Sequence, residues 1–136
     1  MGEGSREKGE SNKPMSTNDD DTFENLEVWQ DAIELGAKVY ELFRGCTDFE
    51  FRGQIRSAAA SVSNNIAEGY ERSSSAEFIR FLDIARGSCG EVRSQAHLAV
   101  RVKLLSSEAA SALVADAKRL SKRIARLMEV RRKDFG

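Results

Sequence analysis

The sequence has few of the residues on which most catalytic and metal sites depend. Its 136 residues include one histidine, His97, and two cysteines, Cys46 and Cys89. Two cysteines are too few for a disulfide framework, and one histidine excludes the paired Glu-x-x-His motifs of di-iron bundles. No nucleophile accompanies a candidate general base. The sequence therefore predicts no catalytic residue, no metal site and no cofactor.

Long apolar runs are also missing. No run approaches the roughly 18–20 residues that a membrane-spanning helix needs, and the polar N-terminus shows no signal peptide. The chain is 40% hydrophobic and 32% charged, which is typical of a soluble protein with a core. We expect a cytoplasmic protein that does not enter a membrane.

The first twenty residues differ in composition from the rest. They hold the single proline, Pro14, and have no periodic apolar positions, so they cannot offset the entropy cost of ordering. Residues 1–21 carry six acids and three bases, whereas the segment from Glu108 onward carries eight bases and four acids. We predict a disordered acidic tail over 1–20, with Met15 as an alternative start to Met1, and one domain over 21–136.

Four helices are predicted beyond the tail, because apolar residues recur at spacings of three and four. The third helix has the most regular repeat, at Phe78, Leu82, Ala85, Cys89, Val92, Ala96 and Ala99. The fourth repeats at Ala110, Leu113, Ala117, Leu120, Ile124 and Leu127. Short links make neighbouring helices antiparallel, so the predicted fold is an all-α, up-down-up-down four-helix bundle.

The helix ends are predicted from capping chemistry. We expect capping boxes at Asp21 with Glu24, at Thr47 with Glu50 and at Ser74 with Glu77, a cap at Ser106, and stops at Gly45 and Gly69. Thr22 is an alternative cap for the first helix. The second helix is then expected over about 48–68, and the third ends near 102–105.

The first helix carries two apolar stripes rather than one. The first stripe is Leu26, Trp29, Ile33, Gly36, Tyr40 and Phe43. The second is Val28, Ala32, Leu35, Val39 and Leu42. One stripe suffices for packing inside a bundle, so two favour self-association, since exposed apolar patches mark interfaces. Burial on two sides within one subunit is the alternative.

Several blocks together resemble one bacterial family. They are residues 23–30 (FENLEVWQ), 54–56 (QIR), 61–69 (SVSNNIAEG), 72–73 (RS) and 77–91 (EFIRFLDIARGSCGE). The family was first described as proteins encoded in intervening sequences of large-subunit ribosomal RNA genes. The resemblance covers about residue 22 to the end. Ser63 replaces a common proline and Glu71 a common glycine.

The resemblance implies an antiparallel four-helix bundle that assembles into a homopentamer, without a known reaction. The family is distantly similar to the accessory variability protein of diversity-generating retroelements, which binds nucleic acid and a reverse transcriptase. Transferring that role to this chain is a distant analogy.

A group of polar residues has two interpretations. Its members are Gln54, Asn65, Glu68, Arg72 and Glu91. They form either a binding site at the end of the bundle or a structural polar network that fixes helix register, as a buried asparagine does in coiled coils. We favour the network, because no nucleophile or base accompanies these residues.

The fourth helix supplies a candidate nucleic-acid-binding surface. Its members are Lys118, Arg119, Lys122, Arg123 and Arg126. Affinity for a phosphate backbone grows with the number of phosphates neutralised, so a symmetric oligomer would multiply a modest patch. No aromatic residue interleaves with these cations, which argues against base readout. The alternative is a solvated face, salt-bridged to neighbouring helices.

Three function classes follow. The first is a non-enzymatic, oligomeric scaffold or accessory protein that binds RNA or DNA through phosphates, without sequence choice. The second is a protein–protein interaction module that binds no nucleic acid. The third, an enzyme with a site between helices, is disfavoured by the missing catalytic constellation.

Overall fold

The computed structural model describes residues 21–134, which form four α-helices joined by short links. Helix α1 spans Glu27–Leu42, α2 spans Phe49–Tyr70, α3 spans Ser75–Arg101 and α4 spans Ser107–Lys133. Each helix packs on its neighbours in the chain, and α1 also packs on α4. The prediction of an all-α, antiparallel bundle is confirmed. The predicted tail over 1–20 lies outside the described residues.

The core runs along the bundle axis where the four apolar stripes meet. All seven positions of the predicted α3 repeat are buried. On α4 the repeat holds as far as Ile124, after which Met128 is buried and Leu127 is only half-buried. A straight helix has 3.6 residues per turn, so the buried stripe drifts away from a strict heptad.

The two stripes of α1 face different surroundings. Val28, Ala32, Leu35 and Val39 are buried in the core. Most of the other stripe points away from it: Ile33 is 41% exposed, Tyr40 is 47% exposed and Trp29 is half-buried, whereas its last residue, Phe43, is fully buried in the core. We call Trp29, Ile33 and Tyr40 the α1 ridge. Its exposure leaves a row of large apolar side chains in contact with solvent.

The predicted cap of α1 at Asp21 is wrong, and so is the alternative at Thr22, whose side chain makes no cap hydrogen bond. Residues Phe23–Asn25 form a single 3-10 turn, and Leu26 is extended with ψ 128°, so α1 begins only at Glu27. The Phe23 ring meets the Trp29 ring edge to face at 5.2 Å, and Gln30 Nε2 donates to the Glu24 carbonyl at 2.8 Å. These contacts fold the entry segment back onto α1 instead of continuing the helix.

Two of the predicted N-caps are confirmed and a third moves by one residue. Ser74 Oγ accepts from the Glu77 amide, and Ser106 Oγ accepts from the Ala109 amide, both at 3.1 Å. At α2 the cap is Asp48, whose carboxylate accepts from Phe51 N at 3.1 Å, and not Thr47. The negative carboxylate at this position also suits the positive end of the helix dipole.

The glycine stops are wrong. Helix α1 ends at Leu42, so Gly45 lies in the turn beyond it. Gly69 lies inside α2 and is buried, where a Cβ atom would sit 2.5 Å from Phe81 Cβ and 3.1 Å from Phe78 Cδ1. Gly69 therefore permits the close approach of α2 and α3, rather than ending α2.

Candidate functional site

Three of the five predicted nucleic-acid-binding residues form a row on the outward face of α4. Lys118, Lys122 and Arg126 are exposed and follow each other at intervals of four residues, about 6 Å of helix rise. Within residues 21–134, none of the three has a carboxylate at ion-pair distance. We call these residues the basic stripe. Its charges are free to meet an external anion.

The other two predicted residues are held by carboxylates. Arg119 donates to Asp116 Oδ1 at 3.1 Å through both terminal nitrogens. Arg123 pairs with Glu27 and Asp31 of α1. The structure thus divides the five predicted cations by pairing: Arg119 and Arg123 are salt-bridged, whereas the basic stripe is unpaired, although its Lys122 and Arg126 also lie beside α1.

A groove separates α1 from α4 and explains this pairing. It contains two neighbouring depressions, of about 720 Å³ beside Lys38 and Asp116 and about 560 Å³ beside Leu26 and Lys122. Lys38 and Asp116 form an ion pair across it. Helices α1 and α4 pack less closely than the other adjacent helix pairs, and ion pairs bridge the gap between them.

The predicted polar residues occupy three places rather than one. Asn65 Nδ2 donates to the Ser61 carbonyl at 2.8 Å and to Ser61 Oγ at 2.9 Å, and Ser61 Oγ lies 2.8 Å from Ser88 Oγ. This chain of hydrogen bonds links α2 to α3 beside the core. A register role for Asn65 stays a prediction, and the structure adds Ser61 and Ser88 as its partners.

Glu68 and Arg72 form a separate pair at the end of α2. Arg72 Nη2 donates to Glu68 Oε2 at 2.8 Å, and both side chains are about half exposed. The Arg72 guanidinium also lies over the Phe81 ring, 4.9 Å from its centroid. Because the pair is one turn apart on one helix and solvated, it contributes about 0.3–0.5 kcal/mol.

Gln54 and Glu91 belong to the third place, a cleft on the outer side of α2 and α3. It measures about 670 Å³ and is lined by the exposed Phe49 ring and otherwise by polar and small side chains, among them Glu50, Gly53, Gln54, Ser57, Ser61, Glu91 and Gln95. We call it the polar cleft. Its described lining includes two carboxylates and no lysine or arginine.

Two residues near these surfaces were not found by sequence reasoning. Arg56 is half-buried with its guanidinium 4.3 Å from the Tyr40 centroid, and its Nε atom is buried without a hydrogen-bond partner. Gln95 Oε1 is the other buried side-chain polar atom of the described residues that has no partner. The sequence signal for Arg56 was its position directly after the buried Ile55, which places it at the edge of the buried face of α2, against a neighbouring helix.

The remaining reactive groups offer little chemistry. Cys89 is buried, and burial raises the pKa of its thiol to about 11, so the nucleophilic thiolate is scarce near neutral pH. His97 is exposed on α3. Between residues 21 and 134, no group of three or more His, Cys, Asp or Glu side chains is placed to hold a metal ion. None of the helices in that range is both long and apolar enough to cross a bilayer.

Comparisons with known proteins agree with this architecture. The model of the family described as 23S rRNA-intervening sequence protein matches residues 24–126. A similar solved structure is a protein of unknown function from the S23 ribosomal protein family of Bacteroides thetaiotaomicron, with a TM-score of 0.69 and 22% identity, covering 74% of this chain and 97% of that one. That likeness shows the fold. A search of curated proteins gave no match.

Proposed function

This chain belongs to the 23S rRNA-intervening sequence protein family, and we propose that it acts as a non-enzymatic, self-assembling accessory protein of the cytoplasm. In this proposal it holds RNA or DNA through phosphate contacts made by the basic stripe. The observation that carries it is the contrast on α4: Lys118, Lys122 and Arg126 are unpaired, whereas Arg119 and Arg123 are neutralised by carboxylates.

The chemistry of the stripe favours phosphate contacts without base readout. Cations one helical turn apart form a linear array, which suits a polyanion better than a single small anion. No aromatic side chain lies between them on α4, so nothing offers a base a stacking platform. Repetition of the stripe in a homo-oligomer, the pentamer that the family resemblance implies, raises the number of phosphates neutralised.

A direct test is a titration of the protein against generic RNA and double-stranded DNA at several salt concentrations. Log affinity should fall linearly with log salt. The variant Lys118→Gln/Lys122→Gln/Arg126→Gln should make that slope shallower by roughly one for each phosphate that it no longer neutralises. The matched control is Arg44→Gln/Arg80→Gln/Arg86→Gln, which removes the same charge from cations that already have carboxylate partners.

Equal weakening in both variants would mean that net charge, not the stripe, governs binding. No binding by the parent protein at low salt would remove the nucleic-acid part of the proposal. The second candidate would then stand, a protein–protein interaction module. The exposed α1 ridge favours it, because rows of exposed apolar side chains mark interfaces.

A further inference from the structure

The Arg56 guanidinium lacks a hydrogen-bond acceptor among the described residues. Its Nε atom is buried without a hydrogen bond, and within residues 21–134 no carboxylate lies at ion-pair distance from its guanidinium. The contact with the Tyr40 ring compensates only in part, since a cation–π contact leaves the N–H donors unsatisfied. No other molecule can reach the enclosed Nε, but the terminal nitrogens of the guanidinium are not enclosed and have no acceptor among residues 21–134, so an external carboxylate that binds them would be favourable.

One large side chain of α1 contacts this arginine, and a second lies farther along the same helix. Tyr40 lies under the guanidinium, and Ile33 lies two turns earlier on the same face of α1. Both are more than 40% exposed, so they form with Arg56 an exposed surface that carries one cation. We call Ile33, Tyr40 and Arg56 the donor surface.

The polar cleft has the opposite charge. Glu50 and Glu91 supply carboxylates without an ion-pair partner among the described residues. Phe49 is the one large apolar side chain in its lining, and a Cβ added at Gly53 would meet no atom within 4 Å. The cleft therefore offers carboxylates and open space beside Gly53, where the donor surface offers a cation and large side chains.

The two surfaces cannot satisfy each other within one chain. The donor surface lies where α1 meets α2, as the Arg56–Tyr40 contact shows, whereas the polar cleft lies where α2 meets α3. Each chain thus carries one donor surface and one polar cleft, on different sides of α2. That arrangement fits a second copy of this chain, since head-to-tail contacts use two different patches of one subunit.

We propose that the donor surface of one copy docks in the polar cleft of the next, with the Arg56 guanidinium bound by the carboxylate of Glu91. An arginine is suited to this contact, because its planar fork donates two parallel hydrogen bonds to a carboxylate. Ile33 and Tyr40 then occupy the open space beside Gly53. This inference rests on the self-assembly part of the proposed function and specifies the surfaces that make it.

The test is a charge exchange, read by sedimentation equilibrium across a concentration series. Arg56→Glu and Glu91→Arg should each raise the subunit dissociation constant at least about tenfold, because each places like charges together. The double variant should recover most of that affinity, since the pair is restored with its ends exchanged. Arg132→Glu and Glu129→Arg are the controls, because they make the same charge changes on the exposed end of α4.

The outcomes separate the interface from the proposed function. A parent protein that stays monomeric at about 100 µM, well above the Kd of ordinary interfaces, overturns both. A parent that assembles, with single variants that assemble equally well, overturns this interface and leaves the scaffold standing. Glu91 is exposed, so Glu91→Arg keeps the test valid even if Arg56→Glu unfolds the chain. Weaker assembly of both single variants without recovery in the double variant would also contradict a direct Arg56–Glu91 contact.

Discussion

Helices α3 and α1 both bury apolar side chains in the core, but they differ in how many neighbours they pack against closely. Helix α3 packs closely against both α2 and α4 through a continuous row of buried side chains. Helix α1 packs on α2 but meets α4 across a groove that ion pairs bridge. Buried apolar contacts are worth much more than solvated ion pairs. The bundle therefore has a firm side, at α2–α3–α4, and a weaker side, at α1–α4.

The largest effect is expected from a cavity on the firm side. Leu82 of α3 is fully buried, so Leu82→Ala should lower the free energy of unfolding by about 2–5 kcal/mol. Chemical denaturation measures it. Ile84→Ala, on the same helix but 41% exposed, is the control and should cost less than about 1 kcal/mol. Equal destabilisation by both would mean that α3 is not the firm element.

A smaller destabilisation is expected from overpacking at the α2–α3 contact. Gly69→Ala places a Cβ 2.5 Å from Phe81 Cβ and should destabilise the protein by about 1–3 kcal/mol. Gly53→Ala on the same helix is the matched control. Nothing lies within 4 Å of its added Cβ, so it should stabilise by up to about 1 kcal/mol. Thermal unfolding distinguishes the signs, and a stabilising Gly69→Ala would contradict the close approach.

The weaker side should respond to salt. Arg123→Gln removes the ion pairs to Glu27 and Asp31 and should cost less than about 1 kcal/mol at low ionic strength. At about 1 M salt, where the Debye length is about 3 Å, the parent and variant should converge. Unfolding at both salt concentrations checks this. A difference that persists at high salt would show that Arg123 acts through packing of its stem instead.

The smallest expected effect lies in the link between α3 and α4. Lys103 has φ 66°, in the left-handed region, and the Leu104 amide donates to the Ala99 carbonyl at 2.7 Å in a Schellman-type helix end. Glycine adopts this φ without strain, so Lys103→Gly should stabilise by about 0.5–1 kcal/mol. Lys103→Ala keeps the Cβ and should show no such gain; differential scanning calorimetry of both variants decides.

The same contrast explains which parts of the fold were predictable from sequence. The α3 repeat was correct at every position, because a helix buried on two sides has no freedom in which residues face inward. The end of α3 was predicted at 102–105, one to four residues beyond its observed end at Arg101, and a lysine rather than a glycine takes the left-handed position that follows. Serine caps at Ser74 and Ser106 were predicted, since their chemistry is local to one turn.

Predictions failed where a distant contact overrode a local signal. Asp21 and Glu24 have the spacing of a capping box, but the Phe23–Trp29 contact turns the chain before α1 begins. Glycine commonly ends helices, but Gly69 instead leaves the space that the Phe81 side chain of α3 occupies. Neither partner is identified by residues adjacent in sequence.

The candidate site was predictable in composition but not in pairing. The five cations of α4 were identified from their clustering, yet only the structure shows that Arg123 meets Glu27 and Asp31, which lie more than ninety residues earlier in the chain. Likewise, only the structure shows that the Arg56 guanidinium lies against the Tyr40 ring. Sequence spacing gives the face of a helix, and tertiary geometry decides whether a charge on that face is free.

The groove between α1 and α4 also bears on the order of folding. Its ion pairs join the two ends of the chain, so they close the longest loop in the bundle, and loop closure costs entropy before contacts repay it. The α1–α2, α2–α3 and α3–α4 hairpins close much shorter loops. We therefore expect the α1–α4 contact to form after the transition state, with φ-values near zero for Leu35→Ala, whose side chain lines the groove, and clearly higher values for Leu82→Ala. A high φ-value for Leu35→Ala would instead place the α1–α4 contact in the nucleus.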